Sequence, residues 1–264
     1  MDSTSSPTAS GSTAAKLSRI ENGKRTASEG DVAKILGNLG VNGEKYDELM
    51  AIARGADTDQ WLATRLPEQR AQNAAIVDFE SRAAAITEWA PALIPGLVQV
   101  AGYARAIMTS DEDVPAGDVA TRVALRMGRR ETIDPARTSK PARFLALIDE
   151  AALRRNIGGP QVMAEQLEHL LQVADWENAQ IQVVPVDAGW HPGLAGQFQL
   201  IEPNASEGFP IVYLETRRSG LILHTEEDVA AYRKSIDAVL RVAMTPAQSA
   251  EAIAAATEEM RNPR

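Results

Sequence analysis

Apolar residues recur three and four apart through the first fifty positions, the spacing of one helix face. Leu17 and Ile20 mark the buried side of a helix that Thr13 caps and Gly23 stops. Val32, Ile35, Leu36 and Leu39 form a second stripe ended by Gly40, and Ser28 with Asp31 has capping-box spacing at its start. Tyr46, Leu49, Met50 and Ala53 line a third helix. The pattern predicts a small all-helical unit over residues 13–54. Residues 1–12, "MDSTSSPTASGS", have almost no apolar surface to bury and read as a disordered tail. Residues 55–72 read as a linker, polar through "GADTDQW", with Pro67 interrupting any helix and Trp61 as an anchor onto the next domain.

From residue 73 the periodicity changes repeatedly. "NAAIVDFESRAAA" reads as a helix, and "ITEWAPALIPGLVQV", with its two prolines and a glycine, as an extended segment passing through turns. Helices follow in "AGYARAIM" and in "GDVATRVALRMGRRETI", the latter with Val119, Val123 and Met127 inward. "ARFLALID" is a strand. "EAALRRN" is a helical turn broken at Gly158-Gly159, and Pro160 opens the amphipathic helix "PQVMAEQLEHLLQVADW". Four strands come next: "IQVVPV", "GQFQLIE", "FPIVYLE" and "GLILHT". Two helices close the chain, split at Thr245-Pro246, and Thr225 with Asp228 has N-cap spacing. The fold class is therefore α+β. A small all-α unit precedes a larger domain, residues 73–264, with a mostly antiparallel sheet flanked by helices.

Composition narrows the function classes. The 264 residues are 44 % hydrophobic and 24 % charged, an ordinary globular balance. No apolar run approaches the ~20 residues of a membrane span, and no secretory signal is visible. There is no cysteine, which excludes disulfides and thiolate chemistry and suits a cytoplasmic setting. The net charge of −9 disfavours nucleic-acid binding by the chain as a whole. Residues 1–55 are neutral, however, and Lys16, Arg19, Lys24 and Arg25 face a single acid, Glu21, within residues 16–25.

Several segments, in order, carry a resemblance: "KLSRIENGKRTAS" and "DVAKILGNLGV", then "ITEWAPALIPGLVQVAGYARAI", "RVALRMGRR", "LIDEAALRRNIGGPQVMAEQLEHLL", "IQVVPVDAGWHPGLAGQFQLIE", "IVYLE" and "VAAYRKSIDAVLRVAM". Together they resemble bacterial Xre-type helix-turn-helix regulators with a C-terminal domain of unknown function. The resemblance implies a transcriptional regulator, DNA contacts from Thr13, Ala15, Lys16, Ser18, Arg19, Asn22, Lys24 and Arg25, and a large domain that senses a ligand or engages a partner. Such proteins have two helices ahead of "KLSRIE"; here the Ser/Thr/Pro tail stands there instead. A recognition helix needs that neighbour to fix its angle in the groove. Ala14 and Ala15 read no donor or acceptor pattern on a base edge. Three accounts remain open: a start downstream of the true one, a small partner protein that completes the fold, or a DNA role that has been abandoned. A homodimer is the expected state if the chain reads an operator.

For the large domain, Trp89, Tyr103, Trp190, His191 and Tyr213 are the candidate ligand residues, aromatics and a histidine near Pro/Gly-rich turns. His191 in "DAGWHPG" reads as part of a tight turn under a Trp lid or, alternatively, as a pocket rim. His169 is expected on an exposed or flanking side of its helix, and His224 at the cap of the next one. A metal site built from His191, His224 and Glu215 has no supporting ligand spacing, so no metal or cofactor is assigned. Asp149 beside Glu150 reads as a helix cap. Arg129-Arg130 and Arg217-Arg218 read as solvated or salt-bridged, with an anion site as the alternative. No catalytic motif is present. The alternative function is a small-molecule-binding module or enzyme recruited from a regulator scaffold, without DNA binding.

Overall fold

Side-chain caps at Ser28, Asp149, Thr225 and Thr245 set where four of the helices begin. The computed structural model describes residues 16, 17, 20, 27–56, 60–63, 66–204, 208–217 and 219–262. The chain forms two bodies, residues 1–75 with 218–221 and residues 76–217 with 222–264.

In the first body, α1 (Glu29–Asn38) starts at a full capping box: Ser28 Oγ accepts from the Asp31 amide, and Asp31 accepts from the Ser28 amide. Lys16 pairs with the same Asp31 carboxylate. The Lys16 hydrogen bond, with those from Ser28, holds Asp31 down at a pKa of about 2. In α1 and α2 (Glu44–Ala56), Leu36, Met50 and Ala53 are buried. Leu39, expected inward, is exposed, because it is the C-cap residue and has left the helical stripe. Leu17 is exposed as well. The expected linker carries regular structure. It contains strand β1 (Gln60–Ala63), and helix α3 (Leu66–Ser81) begins inside it. Pro67 does not interrupt this helix. It is the second residue, where a missing N–H removes no intrahelical bond. The side chain of Trp61 lies outside the described residues.

The second body is α+β. After α3 come β2 (Ala83–Ala90), α4 (Ala101–Ser110), α5 (Val119–Gly128), β3 (Arg143–Asp149), α6 (Glu150–Arg154), α7 (Pro160–Ala174) and β4 (Ala179–Val184). There follow β5 (Phe198–Pro203), β6 (Ile211–Glu215), β7 (Gly220–Leu223), α8 (Glu226–Leu240) and α9 (Pro246–Arg261). The strand order is β7-β6-β5-β2-β3-β4, with Ile222 and Leu223 as the part of β7 in this body. β2–β5 and β5–β6 are antiparallel. Residues 216–219 are too few for a parallel crossover from β6 to β7. β2–β3 and β3–β4 are parallel, because helical crossovers (α4–α5 and α6–α7) separate them in sequence.

β2 takes residues that read as helix. Ala83–Ala85 continue from a helical pattern, but β2 is a central strand with partners on both edges. Six backbone pairings to β3 outweigh the ~0.5 kcal/mol scale of helix preference per residue. Trp89, Phe144, Ile86, Leu147 and Ile148 on these strands are almost wholly buried, as are Met163 and Leu167 on α7. The outer edge of β4 is covered by the approach to α9. The Met244 amide donates to Val183 O at 2.8 Å, and the Val183 amide donates to Ser249 Oγ at 2.9 Å. An edge strand tied in this way offers no free ladder to another chain there. Asp149, Thr225 and Thr245 cap α6, α8 and α9 through their side chains.

Candidate functional site

Strand register gathers polar residues that are far apart in sequence. Glu88 on β2 faces Gln199 on β5, and Gln199 faces Tyr213 on β6. Directly opposed residues share a sheet face, so these three form one polar row across otherwise apolar strands. Two residues along, Gln197 Nε2 donates to Glu215 O at 3.3 Å. Above the row, the end of α3 supplies Glu80, whose Oε1 accepts from Gln199 Nε2 at 2.9 Å. Arg126 and Arg129, three apart on α5 and its following turn, complete the cluster.

The result is a cleft of about 60 Å³, bounded by Glu88, Arg126, Arg129, Tyr213 and Glu215 among others. Two of its charges satisfy each other: Arg129 grips Glu80 through Nε at 2.8 Å and Nη2 at 2.6 Å, with Glu80 only 1 % exposed. Burial works to lower the Arg129 pKa, but Glu80 beside it more than offsets this and the net direction is up. The other groups are less engaged. Arg126 donates from Nη1 to Gln99 Oε1 at 3.2 Å and lies against Gly96, where an added Cβ would sit 3.0 Å from that nitrogen. Burial lowers its pKa. Among the described residues, no hydrogen bond or ion pair engages the half-buried Glu88 carboxylate or the Tyr213 hydroxyl. Burial raises the Glu88 pKa from 4.5 to about 7, with Glu80 and Glu215 adding to the rise and Arg129 and Arg126 opposing it. Burial, then Glu215, also raises that of Tyr213. A larger groove of about 550 Å³ lies between α7 and α9, but its Arg261 is already paired with Glu168 and Glu258. We place the site where unpaired groups converge.

A comparison with known families matches residues 74–255, a stretch that contains every group of this cleft, to a domain of unknown function, DUF5753. The chain belongs to the DUF5753 family. No curated protein matches it. The match begins after the first two helices and does not extend to them.

Of the residues expected to bind ligand, Trp89 and Tyr213 line the DUF5753 cleft. Tyr103 does not. It is fully buried, and its hydroxyl accepts from the Ile94 amide at 3.1 Å, a bond that pins the irregular segment after β2. Trp190 does not either, and it is no lid. It is 82 % exposed, whereas His191 is 4 % exposed and meets the Trp89 ring edge-to-face at 5.2 Å. The His191 backbone is extended, so neighbouring side chains leave on opposite sides and an inward His191 sends Trp190 outward. His169, expected on an exposed or flanking side, is buried on α7 with Nε2 unpartnered, and burial lowers its pKa. His224 sits 5.5 Å from the Phe209 ring, while Thr225 caps α8. Among the described residues no metal-ligating cluster occurs, and no helix is long and apolar enough to cross a membrane. Of the DNA-contact candidates only Lys16 is described, and its ammonium is paired with Asp31. Thr13, Ala15, Ser18, Arg19, Asn22, Lys24 and Arg25 lie outside the described residues.

Sequence reasoning missed Glu88, Arg126 and Gln199. The available signal was a polar residue in the middle of an apolar strand, "ITEWA" and "FQLI", where burial without a partner is costly.

Gly193 shapes the wall behind Trp89. Its carbonyl accepts from Trp89 Nε1 at 2.7 Å, and a Cβ here would lie 2.8 Å from the indole. Gly193→Ala is expected to destabilise the domain by about 1–3 kcal/mol through forced overpacking. Urea unfolding measures this, and an unchanged midpoint would refute the close packing.

Proposed function

We propose that this chain is an Xre-type transcriptional regulator whose DUF5753 domain senses a small polar molecule at the Glu88–Arg126–Tyr213 cleft. The sensing half rests on one observation: Glu88, Arg126 and Tyr213, three polar groups with hydrogen-bonding capacity left over, converge in one partly enclosed cleft. The regulator half is supported by the "KLSRIENGKRTAS" resemblance and by the family match, since this domain is a recognised C-terminal partner of Xre-type regulators. The Lys16–Asp31 pair shifts the burden of phosphate contact to Arg19, Lys24 and Arg25. A dimer would present two such helices to two half-sites.

The test uses full-length protein and an Arg126→Gln variant. Each is incubated with a bacterial small-molecule extract and desalted, and retained molecules are identified by mass spectrometry. The reading predicts a molecule held by the wild type and lost by the variant. It also predicts that this molecule changes the affinity for duplexes selected from a random pool, an affinity that falls as salt rises. Absence of DNA binding at low ionic strength would overturn the regulator half and favour a binding module or enzyme that acts without DNA. Absence of any retained molecule would overturn the sensor half.

A further inference from the structure

The reading of the cleft as a ligand site leaves open what it takes, and its unsatisfied groups narrow the choice. Resting on that reading, we infer that the cleft binds a compact zwitterion, an α-amino acid, with its carboxylate on Arg126 and its ammonium on Glu88.

Charge pairing decides the sign pattern. Glu80 and Arg129 are joined by two short hydrogen bonds and neutralise each other. That leaves Arg126 as the available cation and Glu88, with Glu215 further out, as the available acids. A simple anion drawn to Arg126 would meet the two carboxylates, and a simple cation drawn to Glu88 would meet Arg126. A molecule carrying both charges a few ångströms apart suits both sides.

Hydrogen-bond capacity points the same way. A guanidinium has five N–H donors, and Arg126 spends one on Gln99. The remaining fork fits a carboxylate. The Glu88 carboxylate accepts nothing from the described residues, and an ammonium offers three donors. Tyr213, which lines the cleft and spends its hydroxyl on none of the described residues, adds one further contact.

Size and surface favour a small amino acid over a nucleobase. The cleft, about 60 Å³, is narrow, which suits a compact ligand better than a broad flat ring. Trp89 is wholly buried, with Nε1 spent on Gly193 O, so it offers no open ring for stacking.

Burial holds a proton on Glu88 near neutral pH, against the pull of Arg126 and Arg129 and with the push of Glu80 and Glu215. An arriving ammonium favours the carboxylate form, so binding releases that proton to solvent. This predicts a signature that a merely structural Glu88 would not give.

Isothermal titration of the full chain with each of the twenty standard L-amino acids, at pH 6.5 in two buffers of different ionisation enthalpy, tests the inference. At least one amino acid is expected to bind, with release of most of one proton. The corresponding amine lacking the carboxylate, and the acid lacking the ammonium, bind at least about tenfold more weakly, the scale of a hydrogen bond to a charged group. Arg126→Gln loses binding. Glu88→Gln weakens it and abolishes proton release, and this second variant serves should the first not fold. The inference is overturned if no amino acid binds, if the amine or the acid binds as well as the parent, or if neither variant changes the titration. A different molecule retained from extract by the wild type but not by Arg126→Gln would leave the sensor reading intact while ending this one.

Discussion

Arg129→Met is expected to destabilise the DUF5753 domain by about 3–5 kcal/mol, the scale for stranding one partner of a buried ion pair. Glu80 is 1 % exposed and receives two hydrogen bonds from Arg129 and one from Gln199. Without the guanidinium, a carboxylate is left in a buried position with one neutral donor. The reverse change is milder: Arg129 is 22 % exposed and retains access to the cleft, so Glu80→Gln leaves its charge partly solvated. The double variant Glu80→Gln/Arg129→Met regains most of the loss because no unpaired charge remains. Urea unfolding of the three variants against the wild type measures the pattern. A small effect of Arg129→Met alone would mean that Glu80 is not held by this pair.

Glu88→Gln is expected to act in the opposite direction, stabilising the domain at pH 8 by about 3 kcal/mol. The displacement of the Glu88 pKa from 4.5 to about 7 is worth about that much at 1.36 kcal/mol per pKa unit. The sign follows from proton uptake. Between those two values the folded chain keeps the Glu88 proton and the unfolded chain loses it, so folding binds a proton there. Glu88 therefore costs nothing below about pH 4.5, costs more as pH rises, and exerts its full penalty above about pH 7. Glutamine resembles the protonated form at every pH. The variant's advantage should be large at pH 8 and vanish near pH 4.5, as read by urea unfolding across that range. Equal pH dependence in the two proteins would show that Glu88 is not desolvated. A desolvated acid tolerated at such a cost is the pattern of groups kept for binding rather than for stability.

What was legible in the sequence was local. Ser28 with Asp31, Asp149 and Thr225 cap the helices that follow them, because a cap needs only two to three residues of neighbouring chain. The strand over Arg143–Asp149 and the helix opened by Pro160 are equally short-range matters. The α+β class followed from them. Ala83–Ala85 went the other way, since their strand state comes from partners in β3 and β5, more than fifty residues downstream. The cleft is the extreme case. Glu88, Gln199 and Tyr213 become neighbours only through the register of three strands, one of them central, and no spacing along the chain announces that row. The aromatic residues were easier to notice, and only two of the four, Trp89 and Tyr213, reach the cleft.

The carboxyl carbon of Glu88, observed by carbon-13 NMR with the Glu88→Gln variant to assign it, is the most direct probe of the cleft. A titration midpoint near 7 that falls when ligand is added is the predicted result. A midpoint at the ordinary 4.5, unmoved by any ligand, would contradict a desolvated acid poised to receive one.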